Sequence, residues 1–207
     1  MWTGTEIKIN FIAIRHGATA SNERHSYLGK TEEPLSKKGI RELLKQRDSG
    51  KYPPLDALFT SPMQRCLQTA ELLYGDMRSN VIPEWREMDF GEFEGKNYED
   101  LNGNRDYQHW IDSNGTLPFP DGESQKEFIA RIRGGLDRMF VLLPEFLKEK
   151  KEITVGAIVH GGTIMALFHS LSGDNYFSYQ TANGNGYRCM LRRKDKQIKI
   201  EEIEEFV

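Results

Sequence analysis

The chain has 207 residues, 29% of them charged and 38% hydrophobic, and a formal net charge of −3 at pH 7. This length can bury a large core without disulfides, and the bulk charge gives no indication of a nucleic-acid-binding surface. Two cysteines, Cys66 and Cys189, make no disulfide framework and are typical of a reducing compartment. No apolar run reaches transmembrane length, and Met1 to Lys8 is too polar for a signal peptide, so we predict a cytoplasmic protein without membrane or nucleic-acid partners.

The first half of the chain alternates strand patterns with helix patterns. Ile7 to Ile14 alternates apolar and polar residues and then becomes continuously apolar, which predicts a strand with a buried end. Ser36 is a candidate N-cap for the helix that follows. Leu55 to Thr60 predicts a second strand, and Ser61-Pro62 is expected to open a helix, with the proline in its first turn. Val81 to Glu87 is expected to be a short strand or extended segment.

The second half continues the alternation. Asn97 to Asp112 predicts an irregular helix, and Ser124 to Lys150 predicts the longest helix, which Pro144 should kink or restart. Ile153 to Val159 predicts a buried strand. A helix is expected over Thr163 to Ser170. The last predicted element is a hairpin, formed by Tyr187 to Leu191 and Gln197 to Glu202.

This order of elements predicts an α/β fold. It is a three-layer sandwich, with a mostly parallel central sheet and helices on both faces. No linker-like stretch divides the chain, so we predict a single domain over residues 1–207, with a lid-like insertion around residues 91–122.

Two of the predicted strands end in a histidine followed by glycine. Arg15-His16-Gly17 follows the first strand, and His160-Gly161-Gly162 follows the strand that starts at Ile153. Open α/β sheets place their ligand sites at the carboxyl ends of the strands. The two imidazoles are therefore expected to converge on one pocket.

Further charged groups fall near the same sheet edge. Arg65 lies in the first turn of the helix after the second strand, where the helix amides also attract anions. Glu84, Glu87 and Asp89 follow the third segment, and spacing alone does not say which carboxylate enters the pocket. Arginine forks match phosphate oxygens, so Arg65, Arg15 and the two histidines predict a cradle for a phosphoryl group.

The chemistry expected of such a cradle is phosphoryl transfer. A neutral imidazole nitrogen can attack phosphorus and form a covalent intermediate, and neighbouring cations keep the imidazole neutral by lowering its pKa. A carboxylic acid can protonate the leaving oxygen. The sequence has no His, Cys and Asp cluster with metal-site spacing, so we predict no metal and no other cofactor.

The chain resembles the histidine phosphatase superfamily, also called phosphoglycerate mutase-like, over nearly its whole length. Arg15-His16-Gly17-Ala18-Thr19 is similar to the family's usual Arg-His-Gly-Glu-Thr. Further blocks follow in the family's order: Gly29, Pro34-Leu35-Ser36-Lys37-Lys38-Gly39, Ser61-Pro62-Met63-Gln64-Arg65-Cys66-Leu67-Gln68-Thr69-Ala70, Arg86-Glu87-Met88-Asp89-Phe90-Gly91-Glu92-Phe93-Glu94-Gly95, Gly122-Glu123-Ser124 and His160-Gly161-Gly162.

The resemblance implies a role for each matching residue. His16 would be the nucleophile that becomes phosphohistidine, and Glu87 would be the proton donor. The implied phosphoryl-binding and substrate-binding residues are Arg15, Arg65, His160, Asn22, Gly29 and the backbone amide of Gly161. Two residues depart from the usual pattern: Ala18 replaces a glutamate and Lys30 replaces a ring-bearing residue. Both departures bear on substrate preference, because neither position is catalytic in the family.

Within the family, the sequence from Arg86 to Gly95 is similar to that of the phosphatase branch, which includes alpha-ribazole phosphatases and broad-specificity phosphatases. Mutases carry a longer insertion with an Arg-Arg pair, whereas Lys96 to Pro120 contains a single arginine, Arg105. The resemblance thus implies a metal-independent, histidine acid-type phosphatase acting on a small phosphorylated metabolite. A cofactor-dependent phosphoglycerate mutase and an inactive phosphate-binding or interaction module are the alternatives, and the sequence leaves both a monomer and a homodimer open.

Overall fold

The structure is a computed structural model that describes residues 6–144 and 153–207. Its strands are β1 (Ile7–Arg15), β2 (Ala57–Thr60), β3 (Ser79–Val81), β4 (Ile153–Val159), β5 (Gly186–Lys194) and β6 (Gln197–Phe206). Its α-helices are α1 (Ala20–Glu23), α2 (Lys37–Asp48), α3 (Gln64–Tyr74), α4 (Arg105–Asp112), α5 (Gln125–Leu142) and α6 (Gly161–Ser172). Short 3-10 helices span Pro83–Trp85, Gly91–Phe93 and Tyr176–Tyr179.

The six strands form one sheet in the order β3-β2-β4-β1-β5-β6. The pairs β1–β4, β2–β4 and β2–β3 are parallel, while β5 runs antiparallel to both β1 and β6. The predicted mostly parallel sheet and the predicted C-terminal hairpin are both confirmed.

Helices cover both faces of the sheet, because strand side chains alternate between two cores. Ile9, Phe11 and Ala13 of β1 point into a core shared with α5 and α6. Ile12 and Ile14 point into a second core, shared with α2 and α3. A strand covered on both faces is apolar throughout its buried length, which explains the continuous apolar end of β1. The three-layer α/β architecture is therefore confirmed.

The register between β1 and β4 places the two predicted histidines at one edge of the sheet. The Cα atoms of Arg15 and Val159 are paired, and the amide of His16 donates to the Val159 carbonyl at 2.9 Å. His160 directly follows Val159. The strand-end residues therefore meet because two parallel strands stop at the same level.

Three predicted boundaries were wrong. Helix α3 begins at Gln64 with Met63 as its N-cap, so Pro62 precedes the helix instead of occupying its first turn. The segment after Val81 turns into a 3-10 helix, Pro83–Trp85, where the proline takes a starting position of the helix and the Trp85 ring is buried. Helix α4 covers only Arg105–Asp112 and starts where Asn104 caps the Tyr107 amide.

The long helix also differs from its predicted span. Ser124 caps α5 as expected, with a reciprocal bond between Ser124 and Glu127, but the helix ends at Leu142, ahead of Pro144. The predicted continuation to Lys150 lies outside the described residues. Helix α6 begins at Gly161, two residues before the predicted start. None of the described helices is long and apolar enough to span a membrane.

Two adjacent glycines of α5 allow a direct test of the packing behind the site. A Cβ atom on Gly135 would lie 2.5 Å from ring atoms of the buried Trp85, whereas one on Gly134 would meet nothing within 4 Å. We expect Gly135→Ala to lower the free energy of unfolding by about 1–3 kcal/mol, because the helix must move away from Trp85.

The matched variant Gly134→Ala should raise the free energy of unfolding by up to about 1 kcal/mol, because alanine favours the helix and the position is exposed. Denaturant unfolding of the two variants and the wild type measures both changes. Equal effects of the two substitutions would contradict the close contact between α5 and Trp85.

Candidate active site

His16 lies directly after β1, and its side chain is only 4% exposed. Its Nδ1 atom lies 2.7 Å from the carbonyl oxygen of Gly17. A carbonyl oxygen only accepts, so Nδ1 carries the proton and the neutral ring leaves the Nε2 lone pair free. Gly17 is itself held by its amide, which donates to Thr69 Oγ1 at 3.0 Å.

Arg15, the last residue of β1, extends beside His16. Its Nη1 atom donates to the Thr181 carbonyl at 2.7 Å, while its buried Nε has no hydrogen-bond partner among the described residues. A Cβ atom on Gly161 would lie 3.3 Å from that Nε, so a glycine there leaves room for the guanidinium. A buried, unpaired guanidinium N–H is a ready donor for an anionic ligand.

His160 lies behind His16, with the two ring centroids 5.1 Å apart at an angle of 69°. Arg65 Nε donates to His160 Nδ1 at 3.2 Å, and His160 Nε2 lies 2.7 Å from Ser61 Oγ. Because a guanidinium can only donate, Nδ1 accepts and the ring proton is on Nε2, where it donates to the serine. Both ring nitrogens of His160 are therefore engaged.

Arg65 is fully buried and connects the loop of Gly29 and Thr31 to His160. Its Nη1 donates to the Thr31 carbonyl at 3.0 Å and its Nη2 to the Gly29 carbonyl at 2.8 Å. Gly29 has no space for a side chain, because a Cβ atom would lie 1.9 Å from the Met88 carbonyl oxygen. The structure thus places Gly29 as a backbone partner of Arg65.

Burial and positive charge keep both histidines neutral. The pKa of His16 lies well below its ordinary value, first because of burial and then because of the charges of Arg65 and Arg15. The pKa of His160 is lowered in the same way and for the same leading cause. A neutral His16 with a free Nε2 is the nucleophilic form of imidazole.

Glu87 closes the opposite side of the site. Its carboxyl oxygens accept from the amides of Met88 and Gly162, each at 2.9 Å, and its side chain is buried. Burial raises the pKa of Glu87 and outweighs these two bonds and the charges of Arg65 and Arg15, which act the other way. The site therefore favours a protonated carboxyl, which is the form that a general acid needs.

Arg131 of α5 holds the backbone that carries Glu87, and sequence reasoning missed it. It donates to the carbonyls of Glu84 at 2.7 Å, Arg86 at 2.9 Å and Glu87 at 3.2 Å. Its guanidinium is paired with Glu123 at 2.7 Å. The Gly122-Glu123-Ser124 motif contains the carboxylate of this pair, but nothing in the spacing identifies the arginine.

Asn183 was also missed, and it orients Asn22. The Asn22 Oδ1 atom accepts from the Thr19 amide and from Asn183 Nδ2, both at 3.2 Å. Asn183 Nδ2 also donates to the His16 carbonyl at 2.9 Å. With its oxygen occupied by two donors, Asn22 is left with its own NH₂ group as a donor.

A cavity of about 660 Å³ opens onto these groups. Five of the predicted site residues line it: Arg15, His16, Asn22, Glu87 and Gly161. Arg65, His160 and Gly29 lie behind them and do not line it. The other lining residues are His25, Ser26, Tyr27, Leu28, Phe90, Gly162, Met165, Gln180, Thr181, Ala182, Asn185 and Glu205.

Across residues 6–144 and 153–207, no group of three or more His, Cys, Asp or Glu side chains is arranged to hold a metal ion. The positive charge at the site comes instead from two arginines, the half-buried Arg15 and the fully buried Arg65. A neutral imidazole, guanidinium donors and a carboxyl with a raised pKa are the groups that phosphoryl transfer through a histidine requires.

A family model described as the histidine phosphatase superfamily (branch 1) matches residues 11–205 of the chain. Among curated proteins, the chain is 30% identical to "Putative phosphoserine phosphatase 2" of Hydrogenobacter thermophilus, covering 77% of each chain. It is also 30% identical to a 2,3-bisphosphoglycerate-dependent phosphoglycerate mutase of Beijerinckia indica, covering 78% of this chain and 80% of that one. Phosphatases and mutases thus match at similar identity.

The fold also matches solved structures. The alpha-ribazole phosphatase from Shigella flexneri superposes with a TM-score of 0.72 at 23% identity, covering 93% of this chain and 94% of that one. The phosphoglycerate mutase from Bacillus anthracis superposes with a TM-score of 0.67 at 19% identity, covering 96% of this chain and 93% of that one, so the fold is phosphoglycerate mutase-like.

Asn183 provides a test of how the cavity binds a phosphoryl group. We expect Asn183→Ala to raise the inhibition constant of vanadate about tenfold, because Asn22 loses the bond that directs its NH₂ group. Steady-state inhibition measures this change. Asn80→Ala is the matched control, because Asn80 donates to the Leu58 carbonyl at the β3 edge, away from the cavity. Unchanged vanadate affinity in Asn183→Ala would contradict this role.

Proposed function

The chain belongs to the histidine phosphatase superfamily, and on that premise we propose that it hydrolyses phosphate monoesters of small metabolites through a phosphohistidine intermediate. The observation that carries the proposal is the tautomer of His16. Its Nδ1 proton is held by the Gly17 carbonyl, so Nε2 is free to attack a phosphorus atom in the cavity.

In the first step, His16 Nε2 forms a bond to phosphorus while the ester oxygen leaves. Glu87 gives its proton to that oxygen, and an alcohol departs. The raised pKa of Glu87 supports this role, because the carboxyl keeps its proton beyond the range of an ordinary glutamate. Arg15 and the Asn22 amide are placed to bind the phosphoryl oxygens, and positioning and charge neutralisation are the main needs of this reaction.

In the second step, a water molecule attacks the phosphohistidine. The Glu87 carboxylate takes a proton from that water, the bond from Nε2 to phosphorus breaks, and inorganic phosphate forms. His16 and Glu87 return to their starting states, so the cycle balances without a metal ion or a redox partner.

Hydrolysis is favoured over mutase chemistry by the position of Arg105. This arginine, the single one in the lid segment, lies at the start of α4 and lines a separate hollow with Tyr98 and Ile111. It does not line the cavity of His16 and Glu87. A mutase must hold its product for a second transfer, and the lid supplies no guanidinium to the cavity for that purpose.

The nucleophile is tested by His16→Ala. We expect this substitution to lower kcat for p-nitrophenyl phosphate by roughly a thousandfold or more, because no other group replaces the attacking nitrogen. The matched control is His109→Ala, at an exposed position on α4, which should keep wild-type turnover. Substantial residual turnover in His16→Ala would refute the assignment.

The same variants allow the intermediate to be trapped. Denaturing wild-type enzyme without acid during turnover of ³²P-labelled substrate should leave acid-labile, base-stable label on the protein, and His16→Ala should carry none. The label should also form in the presence of EDTA. A requirement for a divalent ion, or label on serine or aspartate, would overturn the mechanism.

The general acid is tested by Glu87→Gln. Poor leaving groups need a proton, so we expect a loss of about 10³ in kcat/KM, which reports only the steps through alcohol release, for an alkyl phosphate and a much smaller loss for p-nitrophenyl phosphate. In the wild type, kcat/KM for the alkyl phosphate should fall as pH rises through the raised pKa of Glu87, because the acid form is then lost.

The neighbouring carboxylates provide the controls for this experiment. Glu84 pairs with Arg138 at 3.1 Å, Asp89 pairs with Lys30 at 3.0 Å, and neither lines the cavity. Glu84→Gln and Asp89→Asn should keep the wild-type ratio of alkyl to aryl turnover. If Glu87→Gln loses activity equally on both substrates, or if either control loses activity on the alkyl phosphate alone, another residue is the general acid.

A further inference from the structure

The part of the cavity beyond the reacting groups has an apolar wall. Tyr27, Leu28, Phe90 and Met165 contribute it, the last from the first turns of α6. The Tyr27 and Phe90 ring centroids are 5.1 Å apart, and the Tyr27 hydroxyl lies 3.3 Å from that of Tyr107 in α4. The wall is therefore fixed in place by neighbouring rings, and a ligand that packs on it need not order it.

The charge of this outer region is not positive. Arg15 is the one guanidinium among the described lining residues, and it lies at the reacting end. Glu205, exposed on β6, adds a carboxylate to the lining, and His25 adds an imidazole. The rest of the polar lining consists of uncharged groups, such as Gln180 and Asn185.

Two lysines lie near the cavity, and the ammonium of one of them is bonded to a lining residue. Lys51 donates to Asn185 Oδ1 at 2.5 Å from outside the cavity and lies over the Phe206 ring. Lys30 is paired with Asp89 in a separate hollow. Neither residue lines the cavity.

From this lining we infer the substrate class, an inference that rests on the proposed function. We propose that the enzyme hydrolyses phosphate monoesters of uncharged or cationic, partly apolar alcohols and selects against esters with a second anionic group. A carboxylate or second phosphate on the alcohol would lose its hydration at the outer end of the cavity and would meet Glu205 instead of a cation. An apolar face of the alcohol would pack on Tyr27, Phe90 and Met165.

A matched set of esters tests the charge selection. Propyl phosphate, 3-aminopropyl phosphate and 3-(phosphonooxy)propanoate differ mainly in the charge at the far end of the chain. We expect kcat/KM for the anionic ester to be at least about tenfold below that for the neutral ester, and the cationic ester to equal or exceed the neutral one. An anionic ester turned over as well as the neutral one would overturn the inference.

Glu205→Gln tests whether the charge of Glu205 causes the selection against anionic esters. The ratio of kcat/KM for the neutral ester to that for the anionic ester should narrow about threefold in this variant. Glu204→Gln is the matched control, because it removes the same charge from the adjacent residue of β6, whose carboxylate is paired with Arg188. An unchanged ratio in Glu205→Gln, or an equal narrowing in both variants, would contradict the role of Glu205.

The apolar wall is tested with 2-phenylethyl phosphate against propyl phosphate, since their alcohols have similar acidity. We expect kcat/KM to be about fivefold higher for the phenylethyl ester, through burial of its ring. Met165→Ser should reduce this preference and Met165→Leu should retain it. No preference for the phenylethyl ester would overturn the apolar part of the inference.

The two proposals fail in different ways. If propyl phosphate is turned over and the phosphohistidine label appears, the proposed function stands, whatever the order of the esters. If no ester is hydrolysed and no label forms, the proposed function itself fails.

Discussion

The register of β1 against β4 is the constraint on which the site depends. Both strands stop at the same level of the sheet, so His16 and His160 begin side by side, and their rings come to lie 5.1 Å apart. Two cores hold this register, because each strand packs side chains on both faces. A slip of one residue would turn the apolar residues of β1 to the wrong faces and part the two histidines.

Burial then sets the protonation of the groups that meet there. The same exclusion of water lowers the pKa of both histidines and raises the pKa of Glu87, because in each case the charged form is disfavoured. A histidine with a lowered pKa and a carboxyl with a raised pKa thus lie around one cavity. The charges of Arg15 and Arg65 also lower the pKa of both histidines. For Glu87 these charges oppose the effect of burial, and burial is the larger of the two.

Hydrogen bonds from side chains to backbone groups hold the loops that complete the site. Arg65 donates to the carbonyls of Gly29 and Thr31, and Arg131 donates to three carbonyls between Glu84 and Glu87. Glu94 accepts from the amides of Gly29, Lys30 and Phe90, which joins the two loops. Irregular backbone satisfies its hydrogen bonds through these side chains, so the catalytic groups are held without regular secondary structure.

The sequence by itself determined the α/β class and the strands whose ends carry His16 and His160. Through the family resemblance it also led to the expectation that Glu87, of three carboxylates, enters the cavity, which Glu87 lines. These follow from local patterns, because apolar periodicity and residue type are properties of short segments. The predicted boundaries were wrong near Pro62, which precedes the helix, and after Val81, where the chain forms a 3-10 helix instead of an extended segment.

Only the tertiary structure decided the tautomer of His16, the direction of the Glu87 pKa shift, and the roles of Arg131 and Asn183. Arg131 lies 44 residues from Glu87 in the chain, and Asn183 lies 161 residues from Asn22. Proton positions and pKa values depend on burial and on partners brought together by folding, and no local spacing in the chain encodes either.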